Sequence, residues 1–315
     1  MLRTLHYFCP AVSTWRLLDF DNIDPQAWDA CVHASGTALP YGYHTWLYAT
    51  AIDHWQGLVL ASDHGVYEAV MPLSQEYKAL LLPHSPMPPF TQQLGVFARP
   101  GIAWHGHGLV EAVRPVRQKN LVMSYAAAQP LLFLMPAGCW QPRRNLVLPP
   151  APSAQRHAQY SKGLLSNLKK AAGLEVQAAP GAGNTSRIFN QHVRHRAGVP
   201  EVHMGRFTRL SLMPNPHYSW LHLLVPNGHQ ILDPMAAASF VITSTRMVYL
   251  MGASSPLGRE RGAMPLLLDH ALDYAHNHQL TFDFEGGNLA GAATFFRMFG
   301  PQEETYYAGH SKAWL

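Results

Sequence analysis

The sequence predicts a mixed α/β (α+β) fold in which two similar units follow one another, each a mixed, mainly antiparallel sheet flanked by helices. The chain has 315 residues, 48% of them hydrophobic and 13% charged, which suits two buried cores because domains usually contain about 100 to 150 residues. Both halves have the predicted order strand, helix, helix, hairpin, strand, loop, helix, strand. Prolines at 149, 150 and 152 separate the halves, so we place the domains at 1–150 and 151–315.

Hydrophobic periodicity and turn residues define the elements of the first half. Asp24 as N-cap and Pro25 at the first helical position predict a helix start, and the Pro-rich segment from Pro83 to Pro100 predicts a loop. In chain order the elements are the strand WRLLDF, the helices DPQAWDACVHA and YHTWLYATAI, the hairpin GLVLAS with VYEAVMPL, the strand KALLLP, the helix HGLVEAVRPVRQ, bent or ended near Pro115, and the strands NLVMSY, PLLFLM and RNLVLP.

The second half is read in the same way. Gly173, Gly198 and Gly300 are expected to end helices, and Asn184 is expected to cap one. In chain order the elements are the helix SKGLLSNLKKAAG, the strand LEVQAA, the helix NTSRIFNQHVRHRAG, a helix near 203–212, the hairpin SWLHLLV with HQILDPMAA, the strand TRMVYLMGA, the loop PLGRERGA, the helix MPLLLDHALDYAHNHQ, the strand LTFDFEG, the helix LAGAATFFRMFG and the closing strands ETYYAG and SKAWL.

Composition excludes several classes of protein. The net charge is only +4, so short basic clusters are read as solvated helix faces or, alternatively, as contacts to a phosphate-bearing ligand. Three cysteines without CxxC spacing, Cys9, Cys31 and Cys139, indicate neither a disulfide framework nor zinc. The 19 histidines lack the helical zinc spacing, so no metal is expected. The N-terminus has no signal-peptide pattern. We therefore expect a cytoplasmic protein without a DNA or membrane partner.

The stretch FDFEGGNLAGAATFFRMFG places two carboxylates, Asp283 and Glu285, where an apolar strand meets a glycine turn. If the strand is regular, both point to one face. Two readings remain open: the carboxylates bind the turn's N–H groups or an arginine such as Arg297, or one of them, preferably Glu285, is a general base. Tyr306 or its neighbour Tyr307 is then the candidate acid for the leaving group.

The loop GASSPLGRERGAMP lies between a predicted strand and a long helix, where a helix N-terminus can bind phosphate. Together with the element order of the second half, it resembles the loop of the GNAT N-acetyltransferase fold, whose pattern is Q/R-x-x-G-x-G/A; Met264 departs from the last position. The resemblance implies a donor site in this half. Its candidate residues are Ser254, Gly258, Arg259, Arg261, Gly262 and Ala263.

Three stretches in the correct order resemble the FemAB-like acyltransferases: PPFTQQLGVF, SKGLLSNLKKAAGLEVQ and FDFEGGNLAGAATFFRMFG. The resemblance implies tandem GNAT-like domains, with the acceptor on the side of the first and the donor on the side of the second. It also implies an amine acceptor bound between the domains, an acyl-CoA or aminoacyl-tRNA donor, no tightly bound cofactor and a bacterial source. Acyl-CoA is preferred because no long charged helical insertion is present.

Further residues of these stretches are candidates for substrate contact. Phe295 belongs to a helical apolar stripe, for which a core position is the alternative. The candidates are Gln92, Gln93, Lys162, Asn167, Lys169, Lys170, Gly286 and Phe295. The other functions considered are a non-catalytic ligand-binding or scaffold protein, suggested by Met264, and dinucleotide-dependent chemistry, which the lack of a GxGxxG after a strand disfavours.

Overall fold

The structure, a computed structural model, describes residues 14–52, 54–74, 76–78, 82–105, 108–118 and 122–311. Cys9, the middle of the predicted strand KALLLP and most of the predicted strand SKAWL lie outside the described residues. No helix within these ranges is long and apolar enough to cross a membrane.

The described residues form 14 strands and ten α-helices. The strands are β1 Trp15–Asp19, β2 Trp55–Ala61, β3 Tyr67–Ser74, β4 Glu76–Lys78, β5 Leu82–Ser85, β6 Phe97–Ala98, β7 Val122–Ala127, β8 Trp140–Leu148, β9 Gln177–Ala178, β10 Ser219–Val225, β11 Ala236–Ile242, β12 Arg246–Ser254, β13 Thr281–Asp283 and β14 Gln302–Ser311. The helices are α1 Pro25–Ala34, α2 His44–Ala51, α3 Leu109–Gln118, α4 Ser153–Gln159, α5 Lys162–Lys170, α6 Gly183–His192, α7 Glu201–Leu212, α8 Pro256–Glu260, α9 Ala263–Asn277 and α10 Ala290–Arg297.

The strands form two sheets, which confirms the predicted mixed, mainly antiparallel α/β class. One has the order β1-β2-β3-β6, and the other has the order β4-β5-β7-β14-β8-β13-β12-β11-β10-β9. The last strand, β14, lies between β7 and β8 and is antiparallel to both. Strands from both sides of the predicted boundary near Pro150 therefore share one sheet.

Two large apolar clusters form the core. The first contains Trp28, Trp46 and Trp55, all fully buried, and extends to Val248 on β12. The second lies under α5, α9 and α10 and includes Phe282. The site described below lies where the first half meets the β12–β14 region.

Several local predictions are confirmed by backbone contacts. The Asp24 side chain accepts hydrogen bonds from the N–H groups of Gln26 and Ala27, with Pro25 opening α1. β2 and β3 form the predicted antiparallel hairpin. Gly300 has φ +74° after α10, the left-handed conformation that glycine tolerates best.

Other local predictions are wrong, and each has a physical reason. PLLFLM is a turn and not a strand, because the Leu134 N–H bonds to the Leu131 carbonyl at 2.8 Å and both side chains are buried. An apolar run alone does not distinguish the two. α3 continues through Pro115 to Gln118; its apolar side packs into the first core through residues such as the fully buried Val113.

The second half contains the remaining differences. The predicted loop PLGRERGA begins with α8, which Ser255 caps by accepting from the Gly258 N–H. This Ser-Pro start matches the Asp24-Pro25 start of α1. Asn184 lies inside α6, whose N-cap is Ala182. The second strand of the β10–β11 hairpin begins only at residue 236.

Candidate active site

The end of β13 departs from the regular strand that the sequence predicted. The strand ends at Asp283, and Glu285 has φ +55°. The next two N–H groups make short-range bonds, from Gly286 to the Phe284 carbonyl and from Gly287 to the Glu285 carbonyl, both at 2.6 Å. A left-handed backbone costs a residue with a Cβ roughly 1–2 kcal/mol. The expectation that Asp283 and Glu285 share one face of a continuous strand is therefore wrong.

Asp283 is a fully buried anchor. Arg246 Nη1 lies 2.6 Å from its Oδ2, and the Asn145 amide donates to both carboxylate oxygens at 2.9 and 3.0 Å. Its Oδ1 also accepts from the Glu285 N–H at 2.9 Å. Burial raises the pKa of Asp283, and the Arg246 guanidinium opposes that rise. Both carboxylate oxygens are therefore engaged by partners within the chain.

The arginine that pairs with Asp283 is thus Arg246 and not the predicted Arg297. Arg246 also donates to both carboxylate oxygens of Glu304, at 3.0 and 3.2 Å. Arg297 lies 3.3 Å from Glu303 at the surface. Sequence proximity suggested Arg297, whereas the parallel pairing of β12 with β13 brings Arg246 to Asp283.

Glu285 contacts the first half of the chain through both its side chain and its backbone. The Tyr41 hydroxyl donates to its Oε1. The Gln92 side-chain amide donates to its carbonyl at 3.1 Å and to Asn145 Oδ1 at 2.9 Å. Burial raises the pKa of Glu285 to about 8. A carboxyl group with this pKa can exchange a proton near neutral pH.

A cavity of about 410 Å³ opens beside these residues, at the junction of the two halves. It is lined by Thr37, Ala38, Leu39, Gln93, Ala128, Asn145, Arg246, Glu304, Thr305 and Tyr306. Gln93 and Tyr306 were predicted from the sequence. Glu285 is not among the lining residues; Gln92 links it to one of them, Asn145, by donating to the Glu285 carbonyl and to Asn145 Oδ1.

Tyr306 is the predicted acid that reaches the cavity. Its hydroxyl accepts from the Asn288 amide at 3.1 Å. Burial, followed by the nearby Glu285 carboxylate, raises the pKa of Tyr306, so the phenol keeps its proton at neutral pH. Its neighbour Tyr307, also on β14, pairs with Ala127 on β7 and with Pro142 on β8.

The glycines of the predicted donor loop are required by contacts within the chain. A Cβ at Gly258 would lie 1.9 Å from the Met235 carbonyl oxygen, and one at Gly262 would lie 2.3 Å from the Asn167 carbonyl oxygen. Gly262 also has φ +71°. Asn167 thus contacts the loop through its backbone. These glycines would be needed whether or not a donor binds.

The remaining donor-loop candidates have mixed environments. Arg259 donates to the carbonyl of the buried Ser254 at 2.8 Å. Ala263 is fully buried at the start of α9, while Arg261 is exposed. Met264, the departure from the loop pattern, is buried in the second core.

Aromatic rings cover the region where β12 and β13 separate. The strands pair only over Arg246–Val248 and Thr281–Asp283. Beyond this, the Tyr249 and Phe296 rings meet edge to face with centroids 5.7 Å apart. Phe295 is partly buried and packs against the second core. This contact supports the interpretation of Phe295 as a core residue.

The glycine turn and the basic helix complete the predicted candidates. A Cβ at Gly286 would lie 2.6 Å from the Phe296 ring, so this glycine permits close packing of α10. Lys162, Lys169 and Lys170 are exposed on α5, as the solvated-face alternative expects. Within the described ranges, no group of three or more His, Cys, Asp or Glu residues could bind a metal ion.

Sequence reasoning missed Tyr41, Asn145 and Arg246. Asn145 did carry a signal, because it precedes the buried run Leu146–Leu148 on β8 and a buried amide needs partners. Tyr41 and Arg246 carried none, since their partners lie 244 and 37 residues away.

The chain is similar to known proteins in its fold and not in its sequence. No family model matches the sequence, and no curated protein matches it. Among solved structures, FemX has a TM-score of 0.62 at 12% identity, with 92% of this chain and 96% of that chain covered. N-myristoyltransferase of Saccharomyces cerevisiae, with bound myristoyl-CoA, has a TM-score of 0.54 at 10% identity, covering 95% and 82%. The L-PGS structure from Bacillus licheniformis has a TM-score of 0.50 at 11% identity, covering 93% of each chain.

These likenesses show the fold alone, a tandem GNAT-like fold that the chain shares with FemX and N-myristoyltransferase. The sequence motifs predicted this fold, and the structure confirms it.

Proposed function

We propose that the protein is an N-acyltransferase that transfers an acyl or aminoacyl group to an amine bound at the junction of the two halves. The observation that carries the proposal is Glu285: a glutamate with a left-handed backbone, a raised pKa and contacts to both halves, close to the cavity that Asn145 and Tyr306 line. Strained non-glycine residues concentrate at functional sites. The fold shared with FemX and N-myristoyltransferase supports acyl transfer as the class of reaction.

The donor in this proposal is acyl-CoA, with aminoacyl-tRNA as the alternative. The Saccharomyces cerevisiae N-myristoyltransferase structure contains bound myristoyl-CoA, and this supports a CoA thioester. The donor side is assigned to the second half, at residues 254–263, and the acceptor side to the first half, with Gln92 and Gln93. No tightly bound cofactor takes part.

The reaction follows from the roles of two residues. The amine nitrogen attacks the thioester carbonyl, and the Glu285 carboxylate accepts the amine proton, directly or through one water. The C–N bond forms, the C–S bond breaks, and Tyr306 gives its proton to the leaving thiolate. Glu285 then releases its proton to solvent and the Tyr306 phenolate takes one up from solvent, which restores both groups. General base catalysis typically contributes about 10²–10⁴-fold.

The test measures release of free CoA from a panel of acyl-CoAs, with and without primary amines. Wild-type protein should release CoA in an amine-dependent manner, and Glu285→Gln should reduce the rate about 100-fold or more. Glu175→Gln, the same change at an exposed position outside the candidate site, is the matched surface control. Amine-dependent release that is unchanged in Glu285→Gln would remove Glu285 from the mechanism.

One observation favours a second candidate, a non-catalytic ligand-binding protein of the same fold. Close contacts to Met235 and Asn167 explain Gly258 and Gly262, and Met264 packs in the second core. Packing alone therefore accounts for the loop sequence, without a bound acyl donor. A thermal-shift screen separates the two candidates. An acyl-CoA that raises the melting temperature supports the enzyme, whereas stabilisation by amines alone supports the binding protein.

A further inference from the structure

We infer that Tyr41 is a positioning residue that orients the Glu285 carboxylate from the opposite half of the molecule. This inference rests on the proposed role of Glu285 as base. Nothing in the sequence motifs points to Tyr41, which precedes α2 and lies 244 residues from its partner.

Tyr41 is itself rigidly packed. Its side chain is fully buried in the first core, and its ring meets Trp46 edge to face with centroids 5.2 Å apart. Trp46 in turn donates to Thr91 Oγ1 at 3.1 Å, next to Gln92. A buried tyrosine hydroxyl requires a hydrogen-bond partner, and here the partner is the Glu285 carboxylate.

Glu285 is thereby fixed at three points. Its N–H donates to Asp283, its carbonyl accepts from Gln92 and its carboxylate accepts from Tyr41. Asp283 is the last residue of β13, whereas Gln92 and Tyr41 belong to the first half of the chain. The orientation of the base therefore depends on docking of the first half against the β13 region.

The Tyr41 contact has an electrostatic consequence. A hydroxyl that donates to a carboxylate stabilises the ionised form, whereas burial stabilises the protonated form. The other ionisable groups around Glu285 are Tyr306 on β14 and the Asp283–Arg246 pair, and Tyr41→Phe leaves them in place. Removing the hydroxyl alone should raise the titration midpoint of Glu285.

The experiment follows the carboxyl carbon of Glu285 by NMR in the full chain labelled with ¹³C-glutamate, without substrate. The Glu285 signal is assigned by its loss in Glu285→Gln. In Tyr41→Phe we expect the midpoint to move upward by about 1 pH unit, since one hydrogen bond contributes about 1 kcal/mol or more. Tyr125→Phe is the matched control: this buried hydroxyl donates to the Pro72 carbonyl, and its loss should leave the midpoint unchanged.

A second measurement does not depend on whether Tyr41→Phe folds. In the wild-type protein, the ¹³Cζ signal of Tyr41 should shift with pH at the same midpoint as the Glu285 carboxyl. An unmoved midpoint in folded Tyr41→Phe, or a Tyr41 signal insensitive to the Glu285 titration, overturns the inference.

Both readouts are independent of turnover. A shifted midpoint together with full activity in Glu285→Gln would keep the Tyr41–Glu285 contact and reject the catalytic proposal. Activity that requires Glu285 but shows the same pH profile in Tyr41→Phe would reject the positioning role and keep the catalytic proposal.

Discussion

Replacing Asp283 with Asn should destabilise the protein strongly, because the carboxylate is the centre of a buried polar network. The variant keeps the volume of the side chain and one acceptor oxygen. It removes the negative charge 2.6 Å from Arg246. It also places an amide donor where Asn145 or Arg246 already donates.

The magnitude follows from the partners that remain. Leaving a buried charge unpaired typically costs about 3–5 kcal/mol. Arg246 keeps Glu304, whose carboxylate lies 3.0 and 3.2 Å away and is about half exposed, so the low end applies. We expect the free energy of unfolding to fall by about 3 kcal/mol.

Urea unfolding at pH 7, followed by circular dichroism, measures this loss. Glu304→Gln is the matched control, because it removes the other carboxylate from the same guanidinium, and a surface ion pair contributes about 0–1 kcal/mol. If Asp283→Asn costs no more than Glu304→Gln, the buried network does not stabilise the β13 end and the reasoning fails.

Further predictions concern the base, the basic helix and the donor loop. Because the pKa of Glu285 rises from 4.5 to about 8, the native state binds more protons between these values, so wild-type stability should fall as pH rises through that window. Glu285→Gln should make this fall shallower, most clearly above pH 6, because partly buried carboxyls such as Asp29, with its pKa raised to about 6, still contribute below that value; equal pH dependence in thermal melts of the two proteins would contradict the burial of the Glu285 carboxyl. Changing Lys162, Lys169 and Lys170 to Ala should leave urea stability nearly unchanged, and a weaker salt dependence of acyl-CoA binding in that variant would favour phosphate contact over the solvated face. Gly258→Ala should lower the melting temperature severely, because its Cβ meets the Met235 carbonyl at 1.9 Å; Gly205→Ala, with nothing within 4 Å, is the control that should not.

Sequence reasoning was most successful where local signals decide the structure. The α1 start at Asp24-Pro25, the β2–β3 hairpin and the long helix α9 follow from caps, turns and periodicity. It failed where apolar content was the only guide, as at Leu131–Met135, and where the Ser255-Pro256 cap was overlooked in favour of a loop. The position of β14 between β7 and β8 depends on tertiary pairing across the whole chain, for which the sequence carries no local signal.

The residues of the candidate site show the same difference between local signals and tertiary contacts. Asp283, Glu285 and Tyr306 were predicted from the sequence because a charged or polar side chain in an apolar segment is costly to bury unless it has a partner or a function. Their partners were not found, because Tyr41, Asn145 and Arg246 are ordinary residues until the fold brings them to the end of β13. The sequence already favoured Glu285 over Asp283 as the candidate base, but the contact that anchors Asp283, its ion pair with Arg246, depends on the fold.

The backbone conformation of Glu285 bears on whether this residue has a structural or a functional role. Two glycines follow it directly, and glycine at 285 would adopt φ +55° without the steric cost that a Cβ adds. A residue needed only to end the strand would therefore be glycine as well. The chain instead has a glutamate, with its N–H on Asp283, its carbonyl on Gln92 and its carboxylate on Tyr41. These contacts orient a carboxyl group that β13 does not require, which supports the proposal that Glu285 accepts a proton at the junction of the two halves.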